Sequence, residues 1–312
     1  MTHPRMSIPG ATYMVTRSTT MSLFLLVPGP VVNQALEYSL AWAAQGRGIL
    51  LHAFSFESNH YHLVVTDLEG QLSEFMQEFN RCAARCLLEY YRHRFPNTRL
   101  DAVWSPGQSF SQQVLPGPAA MYDEIAYTLT NPVKDGLVRD YRRWPGLNCS
   151  PDDWRGRERT VKRPTFFFRN TPQELTYRVV PPVQLGDELE QVIAAAEHHI
   201  EEAQATAHQN LADEGRRFMS RTAIMAVDPF SSPDTPPPKG DINPVVAAGG
   251  DAQARAAALR AIKLFRATYR EAWRLFRRGL YAIFPGGTLL LRKRFRVECT
   301  DLDVCWCQLA VP

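Results

Sequence analysis

The sequence predicts an α+β fold: a ferredoxin-like β-α-β-β-α-β core in residues 1–150, followed by a mostly helical C-terminal extension. Three observations predict it. β-rich runs alternate with segments of helical apolar spacing up to about residue 130, only three residues separate the second and third strands, and long helical spacings dominate beyond residue 180. The chain has 312 residues, 45% hydrophobic and 21% charged, which implies two domains or one domain with a long extension, and excludes wholesale disorder.

The elements follow in order. Thr12–Thr16 (TYMVT) is β-rich after Pro9-Gly10 and reads as the first strand. Val31–Gln45 carries Val32, Leu36, Leu40 and Ala43 at helical spacing and stops at Gly46 and Gly48. Ile49–Phe56 and His60–Thr66 are the second and third strands, and the short Glu57-Ser58-Asn59 link allows only an antiparallel hairpin. Leu72, Phe75, Met76, Phe79, Ala83, Cys86, Leu87 and Tyr90 define an amphipathic helix ending before Pro96. A fourth strand is expected within Trp104–Val114, although Phe110–Ala120 has the composition of a loop. The core's last helix is expected from Ala119 to about Thr130, cut off by Asn131-Pro132.

Beyond the core, Thr165–Arg169 and Tyr177–Val180 are expected as short strands, Asp187 to about Phe218 as a long polar helix, and Ala252–Arg278 as a second long helix. The proline-rich tract Asp228–Pro244 has little to bury and reads as a linker. The expected organisation is therefore a core at 1–150, an accessory, partly helical segment at 151–227, a linker at 228–245 and a basic helical segment at 246–312.

The net charge of +3 is unevenly spread: residues 1–150 sum to 0, 151–251 to −5 and 252–312 to +8. Twelve basic residues lie between Arg255 and Arg296, opposed in that span by Glu271 alone, which favours a polyanion such as flanking DNA or, equally, a solvated helix face. The aromatics of that helix, Phe265, Tyr269, Trp273 and Phe276, read as core packing ahead of a stacking platform. Cys82, Cys86, Cys149, Cys299, Cys305 and Cys307 are too sparse for a secreted disulfide framework. The last three lack a fourth zinc ligand nearby and read as free thiols. Met21–Val32 is too short to span a bilayer and no leader precedes it, so the expectation is no membrane and a cytoplasmic, nucleoid-associated protein.

Chemistry concentrates in two places. His60 and His62 alternate along a strand, so both imidazoles project from one face and can hold one metal ion. The same pattern serves a structural pair of surface histidines. Tyr127 and Asn131, four residues apart, share one helix face, where the amide can complete a metal site and the phenol lie beside it. A packed tyrosine and a helix terminator would look the same. His198-His199 have no partner at metal spacing and are expected to be solvent-exposed.

With their flanks, Asn59–Val65 (NHYHLVV) and Tyr127–Val138 (YTLTNPVKDGLV) resemble the two signature segments of single-tyrosine HUH transposases, especially the REP-associated, IS200-like branch. The opening Pro9–Arg17 (PGATYMVTR), the helix from Leu72 (LSEFMQEFNR) and Tyr141–Pro145 agree, and the resemblance covers roughly residues 5–150. It implies His60, His62 and Asn131 as metal ligands, Tyr127 as nucleophile, a divalent Mg or Mn cofactor, and cutting and rejoining of single-stranded or hairpin DNA through a covalent 5′-phosphotyrosine. A homodimer is also implied. No nucleotide cofactor is expected, since no phosphate-binding GxxxxGK[ST] loop is present. Arg17, Arg81, Arg85, Arg142 and Arg143 are candidate DNA contacts in the core, each equally a surface solubiliser.

Two other classes compete. One is a domesticated descendant that binds hairpin DNA or regulates without cutting. The other is a metal-dependent hydrolase with H-x-H on a barrel strand, which would need further ligands on later strands that this sequence does not offer.

Overall fold

A computed structural model describes residues 4–105, 109–234 and 245–302. Its centre is a four-stranded antiparallel sheet made of β1 (Ala11–Ser18), β2 (Ile49–Phe56), β3 (His60–Asp67) and β4 (Ser111–Val114), in the order β2-β3-β1-β4. With α1 (Pro30–Ala44) between β1 and β2, and α2 (Leu72–Arg94) between β3 and β4, this is the ferredoxin-like arrangement.

Strand alternation divides β3 between two faces. Tyr61 points to the α1/α2 side, packs edge-on against Phe79, and donates its hydroxyl to Asn80 Oδ1 at 3.0 Å. His60 and His62 point the other way, where α3 (Pro118–Lys134) crosses β2 and β3. α4 (Leu189–Asp213) then covers α3, and Tyr141, Arg142 and Glu197 tie the two layers together.

Irregular chain bridges both sheet edges, which shortens the open hydrogen-bonding rows that invite association. On the β2 side, Phe56 N–H donates to Leu147 O and Val180 N–H to Leu51 O, both at 2.9 Å. On the β4 side, Val114 N–H donates to Val245 O at 3.0 Å and Ala247 N–H to Val114 O at 3.1 Å. One apolar cluster runs from Ile8 to Ala258, and a small second one joins Ala272, Phe284 and Val297.

The remaining elements are the hairpin β5 (Glu158–Lys162) and β6 (Glu174–Arg178), the short α5 (Arg221–Met225), α6 (Ala252–Arg277), β7 (Ile283–Phe284), α7 (Leu289–Phe295) and β8 (Glu298–Cys299). In the second cluster Phe284 is fully buried against Tyr269 and Phe276, so the α6 aromatics are packing groups. Cys82, Cys86, Cys149 and Cys299 are free thiols, while Cys305 and Cys307 lie outside the described residues. No helix among the described residues is long and apolar enough to cross a membrane.

Several local expectations are corrected. α3 does not stop at Thr130 but continues through Pro132 to Lys134. Proline removes one backbone donor there, yet Ile125, Leu129, Pro132 and Val133 are all buried, and that packing outweighs the lost bond. The helix stops instead at Gly136, whose φ of 77° suits glycine, with Leu137 N–H closing onto Pro132 O at 2.9 Å. The fourth strand occupies only Ser111–Val114, with Trp104 forming an isolated bridge to Thr19. Thr165–Arg169 is part of the β5–β6 connection, because Pro164 breaks the ladder and Phe167 folds back onto Tyr38. The long polar helix ends at Asp213, five residues short of Phe218, where Gly215 takes a φ of 65°. The start of the proline-rich tract is anchored: Phe230 packs between Tyr91 and Phe95, and Phe24 N–H donates to Ser231 O at 2.9 Å. Residues 235–244 lie outside the described set. His198 is exposed as expected, whereas His199 is half-buried: it stacks on Tyr122 at 5.1 Å and its Nδ1 lies 3.3 Å from Asp123 Oδ1.

Candidate metal and nucleophile site

The period of the strand and the pitch of the helix together build the site. Register sets His62 opposite Thr16 and His60 opposite Ser18, so the two rings stand side by side with centroids 4.9 Å apart. From α3, the Asn131 amide reaches between them, with Nδ2 at 2.9 Å from His60 Nε2 and 3.1 Å from His62 Nε2. One turn earlier on the helix, the Tyr127 ring lies edge-on to His62 at a centroid distance of 5.3 Å. His62 and Asn131 are buried, whereas Tyr127 remains 37% exposed. The structure therefore brings all four sequence-derived groups together within one chain.

The electrostatics favour neutral imidazoles, whose unprotonated Nε2 atoms accept from the Asn131 amide. Burial lowers the His60 pKa, with Asp135 opposing and Lys134 assisting. Burial, then His60 and Lys134, holds His62 well below the ordinary histidine range. His60 Nδ1 lies 2.7 Å from Asn59 Oδ1, a bond that keeps the proton on Nδ1 and turns the Nε2 lone pair inward.

This donor set fits a divalent metal. Two Nε2 lone pairs converge on one point, and a half-turn of the amide would present Asn131 Oδ1 there in place of nitrogen. Among the described residues no group of three or more His, Cys, Asp or Glu side chains stands at metal-holding spacing, and the side chain set between the two imidazoles is the Asn131 amide. Imidazole ligands suit Mn better than Mg.

Four further groups surround the site. Glu57, from the β2–β3 turn, is buried with Oε1 4.0 Å from His60 Nε2. Burial and the adjoining Asp135 carboxyl push its pKa well up, against the opposing pull of Asn131 and Lys134. Lys134 places Nζ 4.8 Å from the Tyr127 ring centroid. Glu124 is pushed up to about 7 by burial and by Asp123. Tyr127 itself is raised by burial, then by Glu124, Asp135 and Glu57. Helical spacing from Tyr127 could have found Glu124, Lys134 and Asp135, whereas only adjacency to His60 pointed to Glu57.

The candidate arginines are not brought to the histidine pair. Arg17 lies opposite Tyr61, on the other sheet face, with its guanidinium 5.4 Å from the Trp104 ring centroid. Arg81 and Arg85 sit over Phe168 at 5.1 and 4.5 Å, and Arg81 also pairs with Glu78 at 2.7 Å. Arg142 pairs with Glu197 at 2.7 Å, and Arg143 is exposed.

No family model and no curated protein matches the chain. Among solved structures, it is similar to a REP-associated tyrosine transposase bound to a REP hairpin, at 20% identity and a TM-score of 0.39 over 49% of this chain and 84% of the other. It is also similar to a Deinococcus radiodurans R1 protein assigned to the transposases, at 20% identity and a TM-score of 0.27 over 36% and 84% of the two chains.

Proposed function

We propose that this chain is a metal-dependent single-stranded DNA endonuclease and strand transferase of the HUH tyrosine transposase type, acting on hairpin-containing DNA. The observation that carries the reading is the meeting of His60, His62 and Asn131 within 3.1 Å, with Tyr127 one helical turn from Asn131 and packed on His62. The signature resemblance at Asn59–Val65 and Tyr127–Val138 supports it.

His60, His62 and Asn131 would hold Mg or Mn, which when bound supplies Lewis-acid polarisation of a non-bridging phosphate oxygen. The chain's own residues do the rest. Tyr127 Oη attacks the phosphorus, the Tyr–O–P bond forms as the P–O3′ bond breaks, and the 3′ oxygen leaves and takes up a proton. One diester replaces another, so the bond energy is kept for rejoining. The phenol starts protonated because its surroundings raise its pKa, so its proton must go to a base. Glu124, one turn before Tyr127 and titrating at about 7, suits that role at neutral pH. Lys134, against the ring, offsets the charge developing on the phenolic oxygen. The resemblance also implies a homodimer, and within one chain α3 sets Asn131 against His62.

The test is incubation of the full chain with a labelled single-stranded hairpin and Mn. A DNA–protein adduct that survives denaturation, and is absent in Tyr127→Phe, is expected. Hairpin binding with no adduct under any divalent metal would replace this reading with the non-cleaving one.

A further inference from the structure

Helix α6 carries Arg255, Arg260, Lys263, Arg266, Arg270, Arg274 and Arg277, with Arg278 as its C-cap and Glu271 as its one acidic residue. At about 100° per residue, all eight cations fall within an arc of roughly 140° of the helix circumference. Their neighbours on one side are the packed groups Ala258, Phe265, Tyr269, Ala272 and Phe276, which press against the body and the Phe284 cluster. The cations thus form one outward stripe, exposed except for the half-buried Arg266. Among the described residues none of the eight is in an ion pair, and the one ion pair of this segment joins Lys293 of α7 to Glu74 at 3.5 Å. α7 adds Arg292, Lys293 and Arg294 to the same chemistry.

Concentrating like charge this way is unfavourable unless an anion covers it. From Arg255 to Arg278 the stripe runs about 35 Å at 1.5 Å per residue. That is close to one turn of B-form DNA, whose phosphates supply one charge per about 1.7 Å of axis. Phe265, Tyr269 and Phe276 are taken up in packing, while Leu259, Leu264 and Leu275 stay exposed beside the stripe, so the choice of DNA over an anionic membrane rests on the match of the stripe's length and charge to a duplex backbone, and the vesicle arm of the test separates the two.

We propose that the α6 stripe is a duplex-DNA backbone track, separate from the histidine–tyrosine site, that grips double-stranded DNA next to the strand to be cut. Naming it as a second contact rests on the DNA-processing reading above, but the residues are different, so the two can fail independently. The track reads no sequence: it positions the duplex through phosphates alone.

Fluorescence anisotropy of the full chain with a labelled 24-bp blunt duplex of arbitrary sequence, between 50 and 200 mM salt, tests this. The comparison is Lys263→Gln/Arg266→Gln/Arg270→Gln/Arg274→Gln against Arg157→Gln/Arg169→Gln/Arg217→Gln/Arg221→Gln, with circular dichroism to verify folding. At about 0.9 per phosphate contact, the stripe variant should flatten the log Kd against log salt slope by roughly 3–4 and weaken binding at 100 mM salt at least tenfold. The control variant should change neither by more than about a third of that. Equal losses in both variants, or none in either, would overturn the proposal. So would phosphatidylserine vesicles depending on the stripe while duplex DNA does not. Adduct formation on a short hairpin without a flanking duplex, measured alongside, should survive in the stripe variant. Its absence in the wild type with duplex binding intact would count against the catalytic reading alone.

Discussion

Replacing Asn131 with alanine separates the amide's two jobs. In the metal-free chain its Nδ2 bridges His60 and His62 at 2.9 and 3.1 Å, in surroundings only 4% exposed. Each lost hydrogen bond costs about 1 kcal/mol, and the buried His62 Nε2 left without a partner costs about 1–3 kcal/mol more, giving roughly 3–5 kcal/mol of destabilisation in all. The same substitution removes the amide proposed as the third metal donor, so Mn affinity should fall by at least the ~10–100-fold seen when even supporting groups of metal sites are lost. Urea denaturation with and without Mn reads the first effect, and titration calorimetry reads the second. Asn131→Asp should bind Mn more tightly than the wild type, since a carboxylate replaces a neutral oxygen. If Asn131→Ala keeps wild-type Mn affinity while losing stability, the amide is a structural bridge only and the site argument is wrong.

Other outcomes follow from the same structure. Glu124→Gln should remove the inflection near pH 7 from the rate of adduct formation and slow it at least tenfold at pH 8, as loss of a general base does; an unchanged profile would rule out that role. His52 is fully buried between Val180 O and Thr66 Oγ1, both at 2.7 Å, and its pKa is depressed to about 4. The unfolded chain therefore takes up this proton first as pH falls. The stability contribution is intact above about 6.5 and lost progressively down to about 4, by about 3 kcal/mol in total. Urea midpoints across that range should fall less in His52→Gln than in the wild type, and parallel curves would refute the assignment. Phe284→Ala should cost about 3–5 kcal/mol locally, because the second cluster has only three fully packed members. Limited proteolysis should then cut within residues 252–302 while the sheet stays protected.

The core was legible because its signals are local and strong. The Glu57-Ser58-Asn59 link forces a hairpin, Leu72 to Tyr90 repeat at helical spacing, and period two puts His60 and His62 on one face. Tyr127 and Asn131 were legible as a helical pair, but their closeness to the histidines depends on α3 crossing β3, which no local pattern encodes. The misread positions are those where tertiary burial overrides a local rule. Pro132 sits inside a helix because its neighbours are buried, Phe230 anchors a proline-rich tract, and His199 stacks on Tyr122. The arginines of α2, expected as candidate DNA contacts, stand away from the histidine pair for a different reason. Composition marks them as cationic, but strand alternation sends their helix to the far side of the sheet from His62.

The central claim is that two imidazoles of one strand and the Asn131 amide hold a divalent cation beside Tyr127. Pulsed electron paramagnetic resonance of the Mn-loaded chain measures this directly, through coupling of the ion to directly bound nitrogen. The account predicts two imidazole nitrogens in the wild type, one in His60→Gln and one in His62→Gln, with Tyr127→Phe unchanged. A spectrum without imidazole coupling in the wild type, at Mn concentrations that saturate binding, would contradict it.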